Sequence, residues 1–238
     1  MANSEYLEKL KQGVTAWNQY WQACAGTELN LQGANLSEID LRKANLRGAD
    51  LRGAYLKGTI LVGAHLNAAN LSEAYLKDAD MSGAYLNQAN LSMASFNLAN
   101  LSMTTLREAN LQGAYLRGAN LSKANLKGAD LQNADLKGAN LEEAYLMGAD
   151  LTKAKFNLSN LNGADLTSVK ALGTNFTSAQ LTGTCLENWD IDATTKFDWT
   201  VCDYVYLANR KQKRYPGTGN FPTGEFAQLF EYAREAVK

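Results

Sequence analysis

A leucine returns at every fifth residue through most of this chain. From Leu31 to Ile191, 27 of the 33 positions at that spacing are leucine, and the other six are Met81, Phe96, Phe156, Ala171, Phe176 and Ile191. In a second series two residues earlier in each repeat, from Ala34 to Thr184, 24 of 31 positions are alanine; the others are Ile39, Thr59, Thr104, Ser159, Val169, Thr174 and Thr184. Neither series contains a charge. A period of five matches neither the 3.6 of a helix nor the 2 of a strand, so a straight element of either kind would scatter the leucines over every face. The chain must bend once per repeat, always in the same sense.

The remaining positions say how it bends. Alternate residues of an extended segment share a face, so each alanine and the leucine after it point inward together. The residue between them is mostly Asn or Asp, as at Asn35, Asp50, Asn100 and Asp150, and it faces outward, where its side chain suits hydrogen bonding to nearby backbone. The second residue after leucine takes 14 of the 19 glycines, which places the unusual dihedrals of the bend there. A chain bending this way winds into a coil whose backbone pairs with the coils above and below, about 4.8 Å away. Leucine fills the axis at roughly 1.5–3 kcal/mol per buried side chain, much of it offset by chain entropy.

The run ANLRGADLRGAYLKG and its continuation to about Leu207 resemble the pentapeptide-repeat family. The resemblance implies an all-β solenoid, a right-handed quadrilateral β-helix with four pentapeptides per coil. Phe96, Phe156 and Phe176 are separated by 60 and 20 residues, so a 20-residue coil sets all three on one inward wall. Eight coils from Leu31 to Ile191 give a rod of roughly 40 Å. Near Thr194 the register slips by one. Phe197, Cys202 and Leu207 then continue the inward series, partnered by Thr195, Thr200 and Val205.

A solenoid leaves backbone unpaired at both ends, which calls for caps. Leu7, Leu10, Val14, Trp17 and Trp21 recur at helical spacing and predict an amphipathic helix over 4–23, with Asn3 or Ser4 as its N-cap. Phe226, Leu229, Phe230, Ala233 and Val237 predict a second helix over 224–236. The expected organisation is an N-terminal capping helix in 1–28, the repeat in 29–207, and a C-terminal loop and capping helix in 208–238. No basic start leads into an apolar run, no stretch has the length of a membrane span, and three cysteines fit neither a disulfide framework nor a zinc motif. A cytoplasmic protein without cofactor or metal is the expectation, with contact to a membrane or to nucleic acid not indicated.

Candidate chemistry is sparse. His65, the single histidine, lies at an outward position without a matching Cys, His or carboxylate set, so it reads as a surface residue and no catalytic triad forms through it. The Asn-Leu-Ser sequons arise from the repeat itself. PGTGN lacks the Lys-Ser/Thr of a phosphate loop. Arg210, Lys211, Lys213 and Arg214 form a basic cluster in a loop, which reads first as solvated charge. One outward pattern stands out. With a 20-residue coil, Tyr55, Tyr75 and Tyr115 share a face, and Lys57, Lys77, Arg117 and Lys137 form a column two residues along. Such a stripe suits an acidic protein partner, while a self-stabilising stack is the structural alternative.

The function expected from these features is a non-catalytic structural or interaction module, since coils filled with leucine leave no central cavity for substrate. The family resemblance also implies a regulatory role in a cyanobacterium, and an alternative in which the rod imitates DNA and inhibits or protects a type II topoisomerase such as gyrase. That alternative needs an acidic rod. Between Leu31 and Ile191 there are 14 basic and 15 acidic residues, and the whole chain has a formal net charge of −1, which disfavours both DNA mimicry and nonspecific DNA binding.

Overall fold

The computed structural model describes residues 2–24, 28–208 and 212–228. Its body is a stack of coils of 20 residues. Parallel bridges join each outward residue to the one a full coil later, as in Asn30 to Asp50, Asn35 to Tyr55, Asp40 to Ile60 and Asn45 to His65. Four such columns run the length of the stack, one per wall, on walls whose first inward leucines are Leu31, Leu36, Leu41 and Leu46. Strands are reduced to single bridges because the chain turns before a second bridged residue pair forms on the same wall.

The turn has one form throughout. The carbonyl of nearly every inward leucine accepts from the N–H three residues on, as in Ala34 N to Leu31 O at 3.0 Å, and the residue before that donor has φ near +60°. Positive φ at the third turn position is the mark of a type II turn, which favours glycine. Eighteen non-glycine residues from Glu38 to Asn188 nonetheless take that conformation, so the repeat imposes it against local preference. The Asn or Asp before each leucine supports the turn from outside: Asn70 Oδ1 accepts from Ser72 N at 3.1 Å and Asp80 Oδ1 from Ser82 N at 3.0 Å.

Inside, the leucine and alanine series form one continuous core. Only Ile39 and Ile191 among them are less than fully buried. Hydroxyl residues in alanine slots are satisfied by leucine or phenylalanine carbonyls, as with Thr59 to Leu36 at 2.7 Å and Ser159 to Phe156 at 2.6 Å. On the second wall Phe156, Phe176 and Phe197 stack at 5.4 and 5.6 Å, as the spacing of the phenylalanines requires.

The register slip lies where the sequence places it. Lys170 still pairs with Asp190 at an offset of 20, whereas Asn175 pairs with Lys196 at 21. Asp192 holds the extra residue: its Oδ1 accepts from Gly173 N at 3.0 Å, Thr194 N at 2.9 Å and the Thr194 hydroxyl at 2.8 Å. Burial works to raise the Asp192 pKa, and the bonds from Thr194 and Gly173 together outweigh it and hold the carboxyl at about 2. Thr195, Phe197, Thr200, Cys202 and Val205 are buried as expected, and burial first, then the charge of Asp203, pushes the Cys202 thiol up to about 12. Leu207 is a correction. It is 40% exposed, because the chain there leaves the solenoid and turns back. Strands β1 (Thr184–Cys185) and β2 (Val205–Tyr206) are parallel, and β3 (Arg214–Tyr215) returns antiparallel to β2.

The helix expected over 4–23 is two helices, α1 (Ser4–Lys11) and α2 (Val14–Ala23). Gly13, at φ 102°, lies between them and N-caps α2, so the chain changes direction where a continuous helix would overshoot the end of the coil. Asn3 is the N-cap of α1, accepting from Glu5 N at 2.9 Å. The helices satisfy the first coil's open edge directly. Asn3 N donates to Asn30 O at 3.0 Å, Trp17 Nε1 to Asn45 O at 2.9 Å, and the Asn18 carboxamide bonds both Asn45 N and Lys43 O, as another coil's backbone would. Of the expected C-terminal helix, residues 225–228 are helical, with Phe226 packed edge-on to Phe197 at 6.1 Å, and residues 229–236 lie outside the described residues.

Two measurements test this architecture. Gly138 has φ +67° with open space where a Cβ would go, so Gly138→Ala isolates the backbone cost of the turn, and a loss of about 1 kcal/mol in chemical denaturation is expected. Asp192→Ala is expected to be less stable at neutral pH by about 1 kcal/mol, since the carboxylate is exposed and screened. The unfolded pKa is near 3.9 and the folded one is lower, so this contribution is complete above about pH 4 and is lost as the pH falls through about 2. The gap between variant and parent in an acid titration closes over that window.

Candidate functional site

The column of outward residues on the second wall runs Tyr55, Tyr75, Ser95, Tyr115, Asp135, Lys155, Asn175 and Lys196, each bridged to the next. The structure therefore places the predicted tyrosines on one face. Tyr55 and Tyr75 stack with ring centroids 5.2 Å apart and planes 8° off parallel, yet each remains 51% exposed. A stacked pair contributes roughly 0.5–1.5 kcal/mol beyond area burial, so this one both supports its coils and presents a broad apolar edge. Ser95 stands between this pair and Tyr115, so the three tyrosines share a face without forming one continuous stack.

The basic column splits in the same way. Lys57 has no ion-pair partner among the described residues, and the Lys77 ammonium lies 4.0 Å from Asp78. Arg117 is committed within the chain: its guanidinium reaches Asp135 Oδ2 through Nη2 at 2.7 Å and Nε at 2.8 Å. The Asp135 side chain is 8% exposed, and its pKa is lowered. Burial works upward, and the Arg117 pair and the Lys137 backbone N–H outweigh it. The second wall thus has an open aromatic and basic end at Tyr55, Lys57, Tyr75 and Lys77, and a middle in which Arg117 and Asp135 are paired between Tyr115 and Lys137.

Four features escape the sequence reading, two of them in this region. Lys155 and Lys196 extend the basic wall, although they occupy the slot of Asn or Asp in the repeat. Leu98, Leu158 and Trp199 all occupy the positive-φ corner bordering the second wall, and all are exposed, Trp199 by 84%. Their shared corner follows from the 20-residue coil and the slip near Asp192, and would have been legible had that corner been counted. On the fourth wall His65 faces outward as expected, but it stacks on Tyr85 at 5.0 Å and 14°. In the C-terminal loop Arg214 is not solvated charge. It lies 4.1 Å over the Tyr204 ring and donates to the carbonyls of Pro216 and Gly219. Arg210 and Lys211 lie outside the described residues. Among the described residues no group of His, Cys, Asp and Glu is arranged to hold a metal, no cysteines are joined, and no helix is long and apolar enough to cross a membrane.

Eight copies of the family described as pentapeptide repeats match the chain between residues 27 and 192, so the chain belongs to the pentapeptide-repeat family. No curated protein matches it. Similar solved structures include HetL, a pentapeptide-repeat protein involved in heterocyst differentiation regulation from the cyanobacterium Nostoc sp. strain PCC 7120, with 29% identity over 80% of this chain and 96% of that one and a TM-score of 0.40. QnrB1, a plasmid-mediated fluoroquinolone resistance protein, has 25% identity over 74% of this chain and 92% of that one, with a TM-score of 0.49. Rfr23 from the cyanobacterium Cyanothece 51142 has 31% identity over 56% of this chain and 64% of that one, with a TM-score of 0.14. The family membership rests on the repeat itself.

Arg117→Ala removes the partner of a carboxylate that is largely shielded from water. The Asp135 pKa is expected to rise in a carboxyl NMR titration, because burial then acts with less opposition, and stability at neutral pH to fall by about 1 kcal/mol.

Proposed function

We propose that this protein is a non-catalytic interaction module whose second wall receives an acidic segment of a protein partner. The observation that carries the reading is the open end of that wall, where two stacked, half-exposed tyrosines lie beside Lys57 and Lys77. Tyrosine is among the residue types that dominate binding energy when a partner covers them, and lysines beside it favour an acidic segment by charge complementarity. The apolar corner formed by Leu98, Leu158 and Trp199 supports the same reading, since exposed leucine and tryptophan at positions that favour glycine bring the fold no buried contact in proportion to their size. A regulatory role, a right-handed winding of the rod, and the division into a cap in 1–28, repeat in 29–207 and second cap in 208–238 belong to this proposal. A DNA-mimicking rod is not favoured, because the wall with the most exposed aromatic surface carries lysines.

The test is the affinity of an identified partner for Tyr75→Ser/Lys77→Ser. A loss of at least about tenfold, equivalent to about 1.4 kcal/mol, is expected, with binding that weakens as salt rises. The double variant keeps its fold, since both side chains are outward. The loss of the Tyr55–Tyr75 stack lowers the unfolding midpoint slightly, and unchanged affinity in the still-folded variant would remove the second wall from the interface.

A further inference from the structure

Where α2 crosses the first coil, the molecule has a cleft of about 590 Å³, remote in sequence from the exposed corner of the second wall and lined by different residues. Trp21 and Gln22 from α2 form one side, and Lys43, Asn45, Arg47 and His65 the other. A volume in this range suits a small ligand. Its charge is one-sided: Lys43 and Arg47 have no ion-pair partner among the described residues, and no carboxylate lines the cleft. Arg42, Arg52 and Arg117 are each paired with an aspartate, whereas Lys43 and Arg47 share a concave surface that no carboxylate lines.

The cleft also has flat apolar surfaces. Trp21 stacks on buried Trp17 at 5.6 Å and 10° and lines the cleft. His65 stacks on Tyr85 of the following coil, so its free face turns back toward Asn45 and the cleft. The walls are held in place, because Trp17 Nε1 and both ends of the Asn18 carboxamide bond the backbone at Asn45 and Lys43. Preorganised walls reduce the ordering cost of binding.

We infer that this cleft binds a nucleotide-like ligand, with a phosphate set on Lys43 and Arg47 and a planar ring laid against Trp21 or His65. The side-chain amides of Gln22 and Asn45 supply polar contacts at its rim. The chemistry is that of a small phosphorylated heteroaromatic compound, and no bond is made or broken.

His65 is the single histidine of the chain, so its ring protons report on this cleft without overlap from another histidine. Adenosine monophosphate, inorganic phosphate and adenosine are titrated separately into the full chain and followed by those resonances. Saturable shifts with adenosine monophosphate at a Kd below about 1 mM are expected, with each of the other two binding at least tenfold more weakly. Lys43→Gly/Arg47→Ser is expected to weaken the nucleotide at least tenfold. Its fold is secure, because Lys43 occupies a positive-φ corner suited to glycine and both side chains are exposed. Tyr75→Ser/Lys77→Ser is expected to leave nucleotide binding unchanged, which separates this site from the second wall. Absence of a saturable shift would overturn the inference, as would binding of phosphate or adenosine alone as tightly as the nucleotide, or an affinity indifferent to the loss of Lys43 and Arg47.

Discussion

Everything in this molecule depends on the backbone bonding that joins each coil to the next. An inward leucine amide donates to the following coil, as in Leu111 N to Asp130 O at 2.6 Å, and the outward residue a coil later donates back, as in Asp130 N to Ala109 O at 2.9 Å. Up to the slip near Asp192 these bonds place each outward residue 20 positions from its neighbour above and below, whatever its side chain. Buried backbone groups must be paired, and here only another coil, or something shaped like one, can pair them. That is why the Asn18 carboxamide bonds the first coil as a strand would, and why a single extra residue near Asp192 is absorbed in a turn instead of propagating along the rod.

The same constraint separates stability from recognition. Each coil contacts only its neighbours, so stability accumulates along the rod and the inward series carries nearly all of it. The outward residues are then free to vary, and they are held at fixed spacing by the ladder beneath them. Recognition can be built by listing side chains along a column: tyrosines and lysines on the second wall, His65 over Tyr85 on the fourth. The two candidate surfaces differ in kind. The second wall is flat and periodic and suits a macromolecular partner, whereas the cleft beside α2 is concave, closed by an element outside the repeat, and suits a small ligand.

Periodicity made the inward residues, the turn position, the shared wall of the phenylalanines and the slip near Thr194 readable from the sequence, because each follows from position modulo five or twenty. The tyrosine and lysine columns were readable for the same reason. What failed was pairing. Nothing in the spacing says that Arg117 reaches forward to Asp135, that Arg214 folds back over Tyr204, or that Leu207 leaves the core, since each depends on side-chain reach or on the path of the chain after the repeat stops.

The sequence by itself determined the solenoid, since a five-residue apolar repeat has no other way to bury its leucines, and it determined which column each outward residue joins. Only the tertiary structure decided which charges stay open to a partner and where a concave site exists. The break at Gly13 sets the angle at which α2 crosses the first coil, and that crossing brings Trp21 to Lys43, Arg47 and His65. Residues distant in the chain met there because the open edge of the coil needed a partner for its backbone, a requirement no local pattern records.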